Sequence, residues 1–158
     1  MNVPARVHEV AFRVRYAETD AMGFAYHTHY LVWCEVGRTG LLREAGRSYA
    51  ELERDGIFLA VSEADIRYHA PARYEDPVRV QTWLTELRSR GVAFEYRIAH
   101  AETDRTFATA RTRLVCLGRD GRPRTLPHDL RALLRTWVTP RPARNPTPPP
   151  GFIEPHRR

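Results

Sequence analysis

A chain of 158 residues is long enough for one domain with a real core and too short for two. No apolar run approaches the ~20 residues of a membrane-crossing helix. The N-terminus shows no basic segment leading into an apolar stretch, so a cytoplasmic protein without a membrane span is expected. The net charge is +6 and all 25 basic residues are arginine. Coding bias explains that preference as readily as an affinity for phosphates does. No block of like charges and no aromatic-plus-basic motif points to nucleic acid. The two cysteines, Cys34 and Cys116, have no cysteine near them and read as buried free thiols in a reducing compartment.

The first element is a strand over 7–16, with His8, Val10, Phe12, Val14 and Tyr16 on one face and Glu9, Arg13 and Arg15 on the other. A loop over 17–27 leads to a helix over 28–45. Tyr30, Cys34, Gly37, Leu41 and Ala45 recur there at helical spacing, while Glu35, Arg38, Arg43 and Glu44 supply charge elsewhere. Gly37 and Gly40 weaken the helix and suggest that another backbone packs closely on it. Gly46 suits the C-terminal cap, and Ser48 can cap a second helix over 48–54.

Four strands are then expected, over 57–69, 78–87, 92–101 and 106–117. In the first, Phe58, Ala60, Ser62, Ala64, Ile66 and Tyr68 share a face. In the second, Val78, Val80, Thr82 and Leu84 alternate with Arg79, Gln81 and Trp83. The third places Val92, Phe94, Tyr96 and Ile98 on one side. The last carries a small-residue face, Ala108, Ala110, Thr112, Leu114 and Cys116, on which a helix can nestle. Short turns between them imply antiparallel hairpins. Pro127 can open a last helix with Leu126, Leu130, Leu133, Leu134 and Trp137 as its stripe. From Thr139 the pattern collapses, and seven of the 12 prolines follow. The reading is one α+β domain over 1–138 and a disordered proline-rich tail over 139–158.

The chemistry concentrates between Tyr16 and Tyr30. Asp20 lies three residues before Gly23, which admits a sharp turn, and the turn opens onto a helix N-terminus. A helix start offers unpaired N–H groups and a positive dipole end. A carboxylate beside such donors can serve acyl transfer, and it can equally be a loop aspartate that stabilises its own turn. His27 and His29 suggest a metal. Residues two apart face different ways on a helix, though, and nothing nearby completes a ligand set. Glu35 reads as a partner of Arg38 or Thr39.

Asp20, Gly23, Tyr26, His27 and Tyr30, with the helix after them, resemble the active-site signature of hotdog-fold acyl-CoA thioesterases of the 4-hydroxybenzoyl-CoA type. The bacterial subgroup associated with the Tol-Pal system is the most similar. Tyr68-His-Ala-Pro-Ala-Arg73 followed by Asp76 is similar to the corresponding strand end. The resemblance covers roughly residues 8–135. It implies a sheet wrapped around one long helix, and an acyl-CoA substrate hydrolysed to an acid and free coenzyme A. It makes Asp20 the nucleophile or general base, and has the His27 N–H hold the thioester oxygen beside the Gly23 turn. Arg88 and Arg90 would hold nucleotide phosphates. It also implies dimers or tetramers with sites at the interface, and no metal or other cofactor. Ala-Met-Gly at 21–23 and Phe24-Ala25 depart from the usual pattern, so Met22 and Phe24 bear on the acyl pocket. Two alternatives stay open: a non-catalytic acyl-CoA-binding or regulatory hotdog protein, and an acyl-thioester dehydratase or hydratase.

Overall fold

The structure, a computed structural model, describes residues 6–139. The tail expected from residue 139 lies outside the described residues, apart from Thr139, whose N–H donates to the Leu84 carbonyl at 2.8 Å. Five strands form one antiparallel sheet: β1 (His8–Arg13), β2 (Phe58–Tyr68), β3 (Pro77–Leu87), β4 (Gly91–His100) and β5 (Thr106–Leu117). Their spatial order is β1-β3-β4-β5-β2. α1 (His29–Ala45) and the short α2 (Tyr49–Arg54) join β1 to β2, and α3 (His128–Arg135) follows β5. The strands on either side of the helices in sequence thus end at opposite edges, and β3, β4 and β5 fill the middle as a meander of short hairpins. α1 packs across one face of this sheet. That is the hotdog fold, α+β, and among the described residues no helix is long and apolar enough to cross a membrane.

α1 packs against β1 and β3 and more lightly against β4, not chiefly over the small-residue face of β5. Gly37 and Gly40 are what let it approach. A Cβ at Gly37 would stand inside 3.0 Å of Thr82 Oγ1 on β3, and one at Gly40 would stand 2.9 Å from His8 Cδ2 on β1. The close neighbours are therefore side chains rather than backbone. His8 is fixed in its place by Glu44, with Nδ1 2.5 Å from Oε2. Gly46 ends the helix at φ 110°, and the Arg47 N–H reaches back to Leu42 O at 3.1 Å. Ser48 and Glu51 close a reciprocal capping box on α2.

Several expectations need correction. β1 ends at Arg13, because Val14 leaves the ladder to exchange backbone bonds with Asp76 and Glu75. A 3-10 turn follows at Tyr16–Glu18, and Tyr16 is 79% exposed rather than facing inward. Arg38 is only 8% exposed; its guanidinium lies beside Tyr49 and Tyr96 and 3.6 Å from Glu35. In β2 a bulge at Ser62 breaks the single alternation expected there. The outer face of β3 is not simply solvated, since Gln81 and Trp83 are buried. Side-chain bonds running Glu9–Gln81–Arg97 and Glu86–Arg111 help cover it. Leu133 is half-exposed, while the rest of the α3 stripe is buried. Both cysteines are free and buried, and burial pushes the Cys34 thiol up to about 12.

Candidate active site

The loop from Val14 to Thr28 is a small ladder closed by a glycine turn. Tyr26 N–H donates to Glu18 O at 2.8 Å and Asp20 N–H to Phe24 O at 2.9 Å. Gly23 makes the turn at φ 77°, a conformation that L side chains resist, and its N–H donates to Asp20 O at 2.9 Å. Two anchors hold this ladder. Glu18, only 5% exposed, accepts the Trp33 indole N–H at 3.1 Å and the Arg15 N–H at 2.8 Å, which ties the loop to α1. Ala25 N–H donates to Ala72 O at 2.8 Å, and the Arg73 guanidinium lies 4.6 Å over the Phe24 ring. The segment after β2 therefore forms the other wall. Tyr30, on the first turn of α1, accepts the Ala72 N–H at 3.1 Å through its hydroxyl. Burial raises its phenol above the usual value, against the lowering effect of that bond.

Between these walls is a largely apolar pocket of about 400 Å³, lined by Asp20, Met22, Phe24, His27, Tyr30 and Tyr68 among others. One Asp20 oxygen accepts the Met22 N–H at 2.8 Å, so the turn-stabilising role is real. The second oxygen has no partner among the described residues. Tyr68 donates its hydroxyl proton to the His27 carbonyl at 2.8 Å, fixing the peptide just before the helix. α1 starts without a side-chain cap: Thr28 makes none, and the N–H groups of His27 and Thr28 have no acceptor among the described residues. An uncapped helix start thus meets a half-free carboxylate in one pocket. Donors of this kind can hold a developing oxyanion while the carboxylate attacks or activates water.

The structure brings Asp20, Gly23 and His27 together and leaves Arg88 and Arg90 apart. The arginines line a second cleft of about 270 Å³ where β3 turns into β4, beside Ser62 in mid-β2. From Ser62 to Tyr68 along β2 is roughly 20 Å at ~3.3 Å per residue. Arg88 is bound to Glu86 at 2.9 Å. Burial works against the Glu86 charge, yet Arg111, Arg88 and Arg113 outweigh it and hold the carboxyl below its usual range. Glu35 points to solvent beside Arg38, and its carbonyl takes the Thr39 hydroxyl at 2.6 Å. His69 bonds Thr109 at 3.0 Å and His27 stacks at 4.3 Å on Tyr26; neither is paired with a carboxylate. Among the described residues no group of three or more His, Cys, Asp or Glu could hold a metal ion. Sequence reasoning missed Glu18 and the Tyr68–His27 bond. Glu18 carries a faint signal, an acidic residue two positions from Asp20.

A family model described as "Thioesterase-like superfamily" matches residues 14–152. The acyl-CoA thioester hydrolase YbgC of Escherichia coli is 34% identical over 119 residues, 75% of this chain and 88% of the relative. The acyl-CoA thioesterase YbgC of Haemophilus influenzae is 31% identical over 76% of this chain and 88% of its own. Among solved structures, the DHNA-CoA thioesterase of Staphylococcus aureus superposes with a TM-score of 0.77 at 29% identity, covering 82% of this chain and 91% of that one. The chain belongs to the thioesterase-like superfamily, and it carries that family's chemistry, thioester hydrolysis, on a hotdog fold.

Proposed function

We propose that this protein is an acyl-CoA thioesterase, hydrolysing a thioester to a carboxylic acid and free coenzyme A, with Asp20 as the reacting carboxylate. The reading rests chiefly on one observation: the free oxygen of Asp20 shares an apolar pocket with an uncapped helix start. The acyl group occupies the pocket beside Met22 and Phe24. The thioester oxygen meets the His27 N–H, and Asp20 either attacks the carbonyl carbon or takes a proton from water. The names of the relatives support coenzyme A as the leaving group. A dehydratase needs a histidine working with an acid on carbon. The absence of any histidine–carboxylate pair in the pocket, among the described residues, favours hydrolysis instead.

The active form is a dimer, or a tetramer made of two dimers. β2 is an 11-residue edge strand with no neighbour on its outer side among the described residues, and Val61 and Tyr68 stand exposed on it. Such an edge invites antiparallel pairing with a second copy. Pairing about a two-fold axis near mid-strand sets the partner's Asp20 pocket beside the Phe58 end of this protomer's β2, on the side of Arg90. That would complete a site whose two halves lie roughly 20 Å apart along β2 in one chain.

The experiment is turnover on a panel of acyl-CoA esters by wild type and Asp20→Asn. The substitution keeps size and the Met22 bond and removes the charge. Turnover is expected to fall at least ~10²-fold with the thermal unfolding profile retained. Near-wild-type turnover in Asp20→Asn would refute the role given to this carboxylate.

A further inference from the structure

The arginine turn is short of free cations for the ligand assigned to it. Coenzyme A carries phosphate in two places, a pyrophosphate bridge and a ribose monophosphate. Of the two turn arginines, Arg88 is already bound to Glu86. Of the two, only Arg90 is without a partner among the described residues, and one guanidinium fork grips one phosphate.

A second basic cleft, about 480 Å³, lies beside it, between the end of α2 and the loop after β5. Backbone bonds seam the two together. Cys116 N–H donates to Arg90 O at 2.8 Å, Arg124 N–H to Cys116 O at 2.9 Å, and Leu126 N–H to Ser89 O at 2.8 Å. The loop folds back on itself, with Gly118 N–H bound to Arg122 O at 3.0 Å. Two glycines make room for arginine stems. A Cβ at Gly56 would stand 2.9 Å from Arg119 Nε, and one at Gly118 would stand 3.4 Å from Arg124 Cδ.

Neither acid of this cleft is bonded to the guanidinium of Arg122 or Arg124 among the described residues. Asp55 is bound to Arg47 at 2.6 Å, and one Asp120 oxygen accepts the Arg122 N–H at 3.1 Å. Arg119 donates to Arg54 O at 2.5 Å. The guanidinium groups of Arg122 and Arg124 have no partner among the described residues.

We propose that Arg122 and Arg124, together with Arg90, form the phosphate seat for the nucleotide end of the thioester substrate, and that Arg88 is a structural partner of Glu86. This rests on the acyl-CoA reading above. It moves the binding determinant from the hairpin turn to the loop after β5.

The test compares an acyl-CoA ester with the same acyl group on pantetheine, which lacks the nucleotide. Wild type, Arg122→Ala/Arg124→Ala, Arg88→Ala and a charge-matched control, Arg43→Ala/Arg135→Ala, are assayed on both. The Kd for desulfo-CoA is measured by calorimetry, so that binding is read even without turnover. The loop variant is expected to raise KM for the CoA ester and the Kd for desulfo-CoA about 10-fold or more, with kcat within about twofold. Its kinetics on the pantetheine ester should match wild type, and Arg88→Ala and the control should stay within about threefold on both esters. An unchanged Kd in the loop variant, or an equal change in the control, overturns the proposal. If wild type prefers the CoA ester while the loop variant does too, this inference alone fails. If wild type neither binds desulfo-CoA nor turns over the CoA ester, the acyl-CoA reading itself fails.

Discussion

Gly37→Ala tests how α1, and with it the helix start at the pocket, is seated on the sheet. Alanine raises helix propensity by about 1 kcal/mol over glycine. Against that gain, the new methyl lands inside 3.0 Å of Thr82 Oγ1, 3.2 Å from Val80 Cγ1 and 3.4 Å from Thr82 Cβ. Thr82 and Val80 are both fully buried, and Thr82 is short and β-branched, so neither yields easily. Overpacking of this kind costs about 1–3 kcal/mol, and a contact this close belongs at the upper end. The net expectation is a loss of about 1–2 kcal/mol, or roughly 3–8 °C in Tm for a domain of this size. Thr82→Ala removes the obstructing oxygen, which is buried with no hydrogen-bond partner, so little hydrogen bonding is lost with it. Gly37→Ala/Thr82→Ala should therefore recover most of the loss. Urea unfolding of the four members of the cycle measures the coupling. A Gly37→Ala variant as stable as wild type, or a double variant no better than Gly37→Ala, would refute this account of the packing.

Two further outcomes are expected. His27→Ala keeps the backbone donor and should retain much of the activity, whereas His27→Pro deletes an N–H that has no acceptor among the described residues and should lower kcat roughly 10²–10³-fold with the unfolding profile kept; an alanine variant as inactive as the proline one would assign the chemistry to the imidazole. For Glu86, the carboxyl is held below its ordinary range by Arg111, Arg88 and Arg113 against the effect of burial, so its contribution to stability is present above the unfolded value of about 4.3 and lost as pH falls through the folded one. Glu86→Gln should accordingly be less stable than wild type in urea at pH 7 and converge with it in acid, and a constant gap across that range would contradict the linkage.

Elements long enough for their period to be counted were legible in the sequence. α1 ends at its Gly46 cap and α2 begins at its Ser48 cap, and β3, β4 and β5 bury the alternating sets expected of them. What escaped were interactions set by tertiary neighbours. Arg38 looks like one more surface charge in the sequence, but Tyr49 and Tyr96 lie beside it in the fold. Gln81 is covered because Arg97 reaches across to it from β4. In the site, Asp20, Gly23 and His27 were legible as a turn before a helix. The grip of Glu18 on Trp33 spans fifteen residues and two elements, so no local pattern encodes it.

β2 shows how one inserted residue serves both packing and the pocket. Partners across β5 put Leu59 opposite Cys116 and Val61 opposite Leu114; beyond the bulge, Ala64, Ile66 and Tyr68 stand opposite Thr112, Ala110 and Ala108. Directly paired residues face the same way, so the inward set is odd-numbered before Ser62 and even-numbered after it. A strand without the bulge would have to choose. With Leu59 and Val61 inward, Glu63, Asp65 and Arg67 would follow them toward the core, and three charges would lose their water. With Ile66 and Tyr68 inward, Leu59 and Val61 would turn outward. The extra residue lets Leu59 before it and Ile66 after it both pack against the core. It also aims Tyr68 at the loop, where its hydroxyl holds the His27 carbonyl. The donor geometry at the start of α1 therefore depends on a register shift more than 30 residues away in the chain, at the point where β2 passes beside the arginine cleft.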